Sequence, residues 1–269
     1  MCKNVSGSVL VLVLWVLMLV SFMTAEHVAR NREGVGLTIE AVNDLERQQA
    51  VASIVRLFAV DGWPLPQVAG GEGRWIDLEL NDQEVWVRVD HEKGRLNLNQ
   101  VAEPDIRNAI RQALGDDYAE DADSVCDSIL DWRDEDDLVR LEGAEAAYYE
   151  DLELGYGPAN GPFKTLTELL LVKDVTPQLF LGDVLGQITR QQAESLEDID
   201  MEFDDSFLLK GLIDIFTLFP EEVRRITILV PVGEGVYYLN YIFMTKRQAG
   251  WHVLQRYTTF YVAEAEQGL

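Results

Sequence analysis

Ser8 to Ala25 form a run of 18 residues without a charge, and Val9 to Val20 are apolar throughout. As a helix, that run is about 27 Å long, close to the roughly 30 Å of a bilayer core. A chain that begins this way must bury the run in lipid, pack it among neighbouring helices, or lose it by cleavage. Only Met1 to Gly7 stand before it, with Lys3 as their one charge.

Three readings of this start compete. A cleaved secretory signal has a shorter apolar core and a small-x-small site, for which Met23-Thr24-Ala25 is a poor match. A simple uncleaved anchor is the second. The third is a prepilin-type leader, cut before the apolar run at Gly7–Ser8. The short polar leader, the Gly at its end and the pattern beyond the run favour the third. From Glu26 to Val60 there is no Pro, and apolar residues such as Val35, Ile39, Val42, Leu45, Ala52, Val55 and Leu57 recur mostly at steps of three, four or seven. That spacing predicts an amphipathic helix continuing the membrane segment. Gly34 and Gly36 are positions where it could bend, and Asp61-Gly62-Trp63-Pro64-Leu65-Pro66 ends it.

Arg74 to Leu80 and Glu84 to Asp90 alternate apolar and polar residues around Asn81-Asp82, the pattern of a hairpin with one buried face. Thr227 to Val232, Val236 to Thr245 and Trp251 to Val262 read as three more strands, with Tyr237, Leu239, Tyr241 and Phe243 on one face. Between the two groups the periodicity is helical. The expected helices are Asp105 to Leu114, Ala122 to Trp132, Thr165 to Leu171 and Phe207 to Leu218, with a shorter turn over Pro177 to Leu185. The fold class is therefore α+β: an antiparallel sheet interrupted by a large helical insert.

Charge is distributed unevenly along this plan. The chain of 269 residues has a formal net charge of −25. Ala102 to Leu154 hold 18 acids against four Lys and Arg, and Asp183 to Asp205 hold eight acids against one Arg. Such a chain is a poor partner for nucleic acid, whose binding rests on Lys and Arg neutralising phosphates. Two Cys exclude a disulfide framework. Cys2 lies in the leader, and Cys126 sits in a helical pattern as a small core residue.

Several strings resemble the K-type minor pseudopilin family of the type II (general) secretion system. They are Gly7 followed by Ser8 to Trp15, Gly94-Arg95-Leu96-Asn97-Leu98-Asn99, and Ile129-Leu130-Asp131-Trp132-Arg133-Asp134-Glu135-Asp136-Asp137. Gly143-Ala144-Glu145 with Tyr148-Tyr149, Asn160 to Val172, and Val175-Thr176-Pro177 complete the set. The chain departs from the family after Gly211 to Thr217, where Pro220 to Arg225 lead almost directly to strands and a second helical module is shortened or missing.

The resemblance implies a prepilin leader (1–7), a transmembrane and stalk helix (8–60) packed on a pilin-like sheet (61–98 and 226–269), and an inserted SAM-like helical domain (99–225). It implies cleavage after Gly7 by the prepilin peptidase and a single pass through inner-membrane lipid by residues 8–25, with the bulk of the chain in the periplasm. Implied partners are the I- and J-type minor pseudopilins and the major pseudopilin. The implied role is assembly of the pseudopilus tip and export of folded proteins across the outer membrane. Most pilins carry Glu at the fifth mature position; here it is Leu12, which suits a tip subunit with no neighbour above. A membrane-anchored binding module and a type IV pilus-like minor subunit are the alternatives.

Asp131, Asp134, Glu135, Asp136, Asp137, Glu142 and Glu145 crowd one loop. On sequence alone this is either a solvated charged face or a site for a hard divalent cation, which takes six to eight oxygen ligands. Asp134, Asp136 and Glu145 fall at positions 1, 3 and 12 of an EF-hand count, but Leu138 and Val139 stand at positions 5 and 6, so the loop is no EF-hand. The family's association with calcium in this domain favours the cation, with Asp134, Asp136 and Glu145 as ligands and Asp137 and Glu142 beside them. Trp132 is expected beneath the loop and Arg140 against its acids. Nothing selects a catalytic site. His27, His91 and His252 lack metal-ligand spacing, and no nucleophile, P-loop or dinucleotide motif is present. An acidic hydrolase, needing only two placed carboxyl groups, is the remote enzyme reading.

Overall fold

A computed structural model describes residues 15, 18, 44–60, 73–80, 83–114, 119–194, 210–233, 235–248 and 250–263. The leader, Gly7, Ser8, Leu12 and most of the apolar run lie outside these residues, as do the Asn81-Asp82 turn and six of the eight acids of the second acidic stretch. Contacts divide the chain into two compact units, Met1–Arg56 and Leu57–Leu269. Among the described residues no helix is long and apolar enough to cross a membrane.

Residues 44–59 form helix α1, with Ala50, Val51, Ile54 and Phe58 as its buried stripe. The helix is where the sequence predicts one, but the buried stripe is offset from the positions read there: Leu45 is 55% exposed, and Ala52, Val55 and Leu57 are half-buried beside the stripe.

Five strands make one antiparallel sheet in the order β1-β2-β5-β6-β7. β1 is Trp75–Leu80 and β2 is Gln83–His91; β5 is Arg224–Gly233, β6 is Val236–Arg247 and β7 is Gly250–Val262. The three C-terminal strands expected from alternation are present, and β5 starts earlier than its apolar run because Arg224 and Arg225 pair with His91 and Asp90. His91 and Arg224 are register partners, so the chain leaves the sheet and re-enters it at the same point. Everything between them is an excursion hung from two neighbouring strands.

That excursion holds β3 (Leu96–Asn97), α2 (Glu103–Leu114), α3 (Ala119–Arg133), α4 (Ala146–Asp151), a 3₁₀ helix (Leu166–Leu171), α5 (Pro177–Leu181), α6 (Val184–Glu194), α7 (Leu212–Ile215) and β4 (Phe216–Thr217). Helices α2 and α3 cover the expected spans. Leu166–Leu171 winds as a 3₁₀ helix closed by a capping box between Thr165 and Glu168. The helix expected over Phe207 to Leu218 is shorter. Within its described part only Leu212–Ile215 are helical, and Phe216–Thr217 turn extended to pair in parallel with Leu96–Asn97. The pairing partner lies more than a hundred residues upstream, so local propensity could not reveal it.

One core joins sheet and insert. Leu229, Leu239, Tyr241 and Phe243 pack with Leu98, Ile106, Ile129, Leu169 and Phe216. The hairpin pattern predicts one buried face, but the central strands bury both. Val85, Val87, Ile226, Ile228, Val230 and Ile242 on the opposite face are each at most 1% exposed.

Ions also bind the insert to the sheet. Arg225 is fully buried and donates to both oxygens of Glu92, at 2.8 and 2.9 Å, and to the carbonyls of Ile213 and Phe216. Arg88 donates to Asp90 at 2.8 Å and to Asp214 at 2.5 Å, and also bonds Gln187. Arg95 stands 3.6 Å from both Asp90 and Glu92 and 3.9 Å from Asp214. Three guanidinium groups thus face three carboxylates, the balance that burying charge requires.

Candidate metal centre in the acidic loop

The loop is built on the C-terminal turn of α3 and runs to the start of α4. Asp131, in that last turn, is fully buried. Its Oδ2 accepts the backbone N–H of Arg140 at 3.2 Å, and its Oδ1 lies 3.4 Å from Arg140 Nε. The chain can fold back this closely because residue 143 is Gly: a Cβ there would sit 1.9 Å from Asp131 Oδ2. Trp132 is buried beneath, stacked on Phe163 at 6.3 Å and edge-on to Tyr149 at 5.7 Å. Asn99, the last residue of the Leu-Asn-Leu-Asn string, clamps Phe163 from the other side. It accepts that residue's N–H at 2.8 Å and donates to its carbonyl at 2.9 Å. The aromatic floor and the loop are thereby fixed to the start of the insert.

Glu145 occupies the N-cap position of α4 without capping it. It is 6% exposed, and neither carboxylate oxygen has a hydrogen-bond partner. Burial, and then the charges of Asp131, Asp134, Asp137 and Asp136, push its carboxyl up to about 7. Asp131 and Asp134 are also raised, each first by burial and with a neighbouring aspartate adding to it. Asp134 Oδ1 and Asn160 Oδ1 are likewise buried without a hydrogen bond, as is Asp131 Oδ1, whose one polar neighbour is the Arg140 guanidinium. The Asn160 amide donates to Asp137 Oδ1 at 3.1 Å, and Asp136 Oδ1 accepts the N–H of Leu138 at 2.9 Å.

The fold therefore brings Asp131, Asp134, Asp136 and Asp137 into the electrostatic neighbourhood of Glu145, and Asn160 joins the loop through its bond to Asp137. Asp131 was legible as one acid among many but lay inside the helical pattern; Asn160 lies 15 residues beyond Glu145. Glu142 is exposed. Its backbone, not its carboxylate, is engaged, with its N–H donated to Asp127 and its carbonyl accepting from Ser124 and Lys173. Arg140 does stand against the acids, 3.4 Å from Asp131 and 3.9 Å from Asp134.

Buried oxygens without donors are costly, by about 1–3 kcal/mol each and more when charged. A hard cation is the group that satisfies several carboxylate and amide oxygens at once. The donor set, all oxygen with no sulfur or imidazole, fits calcium rather than zinc. Among the described residues no three acidic, His or Cys side chains already form an ion-holding group. The carboxylates are gathered but not converged. Cys126, on α3 behind the loop, is buried, and burial pushes its thiol up to about 11, the behaviour of a packing residue.

Residues 94–182 match the family model described as type II secretion system (T2SS), protein K. That span runs from Gly94 through α5 and holds every residue of the loop. Among solved structures, a chain of the GspK–GspI–GspJ complex from the enterotoxigenic Escherichia coli type 2 secretion system is 14% identical. The match covers 82% of this chain and 99% of that one, with a TM-score of 0.47. No curated protein matches the chain.

Proposed function

We propose that this chain, whose residues 94–182 belong to the type II secretion protein K family, is a minor pseudopilin at the tip of the pseudopilus. The observation that carries the reading is the family match itself. It falls on an excursion suspended between two paired strands of an antiparallel sheet, preceded by an amphipathic helix and an apolar run. A large head on a pilin-like sheet suits a subunit that terminates a filament, since it leaves no room for a further subunit above. Leu12 is consistent with this, because a lipid-buried Glu at that position would need a partner.

In this reading the prepilin peptidase cleaves after Gly7, residues 8–25 hold the chain in the inner membrane, and the head lies in the periplasm. The I- and J-type minor pseudopilins are the direct partners and the major pseudopilin follows below. The chain supports pseudopilus assembly, and through it the export of folded proteins, by its shape and contacts.

The acidic loop is proposed as a calcium site held by Asp134, Asp136, Asp137 and Glu145, with Asp131 and Asn160 as further oxygen donors. Bound calcium supplies positive charge and oxygen coordination; the protein residues supply a rigid aromatic floor and a loop tied to Asn99. Support comes from the buried oxygens of Glu145, Asp134 and Asn160 that have no hydrogen-bond partner, beside Asp131, whose Oδ1 has only the Arg140 guanidinium.

Co-expression of the full chain with I- and J-type minor pseudopilins and the prepilin peptidase tests the assignment. The expected result is a detergent-soluble complex in which the chain begins at Ser8 by intact-mass measurement. An intact Gly7–Ser8 bond together with no complex would overturn it. For the calcium site, added millimolar calcium should raise the thermal midpoint of the purified chain, and Asp134→Ala should remove the rise.

A further inference from the structure

An open cavity of about 460 Å³ lies between α4 and the chain that follows it, lined by Tyr149, Glu150, Glu153 and Tyr156. Gly155 and Gly157 also line it, and a Cβ at either would meet nothing within 4 Å, so its mouth is unobstructed there. The aromatic wall is fixed from behind. Tyr156 lies edge-on to Trp132 at 6.4 Å and 5.6 Å from Tyr149, which is itself buried. The backbone reverses sharply at this point. The N–H of Leu154 bonds the carbonyl of Tyr149 at 3.3 Å, and Glu153 holds a φ of 53°, the left-handed conformation that helix ends ordinarily give to glycine.

The charge belongs to the cavity itself. From Leu141 to Phe163 there are five acids and no Lys, Arg or His. Glu150 and Asp151 close α4, whose last turn has no basic residue to complement its free carbonyls. Glu150 and Glu153 are exposed, and among the described residues neither carboxylate makes a hydrogen bond or an ion pair. Lys173 is committed elsewhere: its ammonium stands over the Tyr148 ring at 5.4 Å and donates to the carbonyl of Glu142 at 2.9 Å. Apolar groups frame the same opening. Leu152, Leu154 and Tyr156 are 52%, 43% and 37% exposed, three large apolar side chains within five residues.

Unpaired carboxylates beside an aromatic ring complement a guanidinium group. Its plane stacks on a tyrosine face while its N–H groups reach carboxylates in the same plane. An ammonium is a compact, strongly hydrated point charge and gains less from the ring. A basic segment is also drawn toward a chain of net charge −25, whereas a second copy of that chain is repelled. We propose that this cavity binds an arginine side chain of another protein, held between Tyr156 and the carboxylates of Glu150 and Glu153. Apolar residues flanking that arginine meet Leu152 and Leu154. The site rests on the local fold of the insert and on neither the pseudopilin reading nor the calcium loop.

Fluorescence anisotropy on the full chain in detergent micelles tests this. The probes are a short dye-labelled peptide with Arg between two Leu in a Gly/Ser frame, and counterparts with Lys or Gln in place of the Arg. The Arg peptide should bind about fivefold tighter than the Lys peptide and more than about tenfold tighter than the Gln peptide. The double variant Glu150→Gln with Glu153→Gln should weaken the Arg peptide about tenfold or more, and Tyr156→Ala should weaken it several-fold. Glu79 and Glu84 are exposed and face each other across β1 and β2. Glu79→Gln with Glu84→Gln removes the same charge there and should leave binding unchanged, which separates the cavity from general attraction to an acidic chain. Thermal midpoints of the variants report whether the fold is retained. The proposal is overturned if the Arg peptide does not bind, if the Lys or Gln peptide binds as tightly, or if the hairpin variant weakens binding as much as the cavity variant.

Discussion

Arg225 and Glu92 form a doubly hydrogen-bonded ion pair with both side chains fully shielded from water, 133 residues apart in the chain. The pair sits where the helical excursion leaves and rejoins the sheet. Removing one partner leaves the other charged and buried, which typically costs about 3–5 kcal/mol. Arg225→Met is therefore expected to lower the stability of the chain by that order in urea unfolding. Glu92→Gln should cost less, because the amide can still accept one of the two bonds.

Asp214 makes this cluster sensitive to acid. Burial favours its neutral form, but Arg88, Arg225 and Arg95 outweigh burial and hold its carboxyl below the ordinary range. A group with a folded pKa below its unfolded value stabilises fully above the unfolded value, about 3.9, and loses that contribution as pH falls further. Asp214→Asn should thus be less stable than the parent at pH 7, with a gap that narrows as pH falls below about 4. Urea midpoints of the two chains at a series of pH values check the sign; a gap that widens in acid would contradict it.

Asn99 is expected to be a structural hinge pin of the insert. Its side chain satisfies both backbone groups of Phe163, the residue on which Trp132 stacks. Asn99→Ala leaves a partly buried N–H and C=O unpaired and should cost about 2–4 kcal/mol. It should also perturb tryptophan fluorescence, since Trp132 loses the anchor of its stacking partner.

How much of this was legible in sequence depends on the distance between partners. The strands β1, β2, β6 and β7 were legible because alternation is a local signal; the helical character of α1 was legible too, but its buried stripe falls on Ala50, Val51, Ile54 and Phe58 and not on the positions read from the sequence. The acidic loop was legible because its carboxylates are consecutive. The ion cluster was not, because Arg88, Arg95, Asp214 and Arg225 are joined only by the closing of the sheet. The same reason hid β4, whose extended backbone is dictated by Leu96–Asn97, and Asn160, which reaches the loop from beyond α4. In the second acidic stretch, Asp183 accepts the N–H of Gly186 in the first turn of α6 and ties Tyr261 to the insert.

Gly143 admits no side chain. A Cβ at this position would overlap Asp131 Oδ2 at 1.9 Å and Cγ at 2.7 Å, and Asp131 is held in place by its bond from Arg140. Gly143→Ala must push the loop away from α3, an overpacking change that typically costs about 1–3 kcal/mol. The variant should unfold at a lower temperature and respond less to calcium than the parent, both measured by thermal scans with calcium or with chelator.

Glu145 separates the cost of the loop from its use. Without a cation, its carboxylate is buried, unpartnered and surrounded by Asp131, Asp134, Asp136 and Asp137. Glu145→Gln removes one negative charge from that crowd at nearly constant volume, so the cation-free chain should become more stable, by about 1 kcal/mol or more. The same substitution removes a charged oxygen ligand, so the stabilisation gained from calcium should shrink or vanish. The two effects have opposite signs and can be read in one experiment, as thermal midpoints of parent and variant in chelator and in millimolar calcium. The variant should lie above the parent in chelator and show the smaller rise with calcium. If the loop were only a solvated charged face, calcium would leave both midpoints in place.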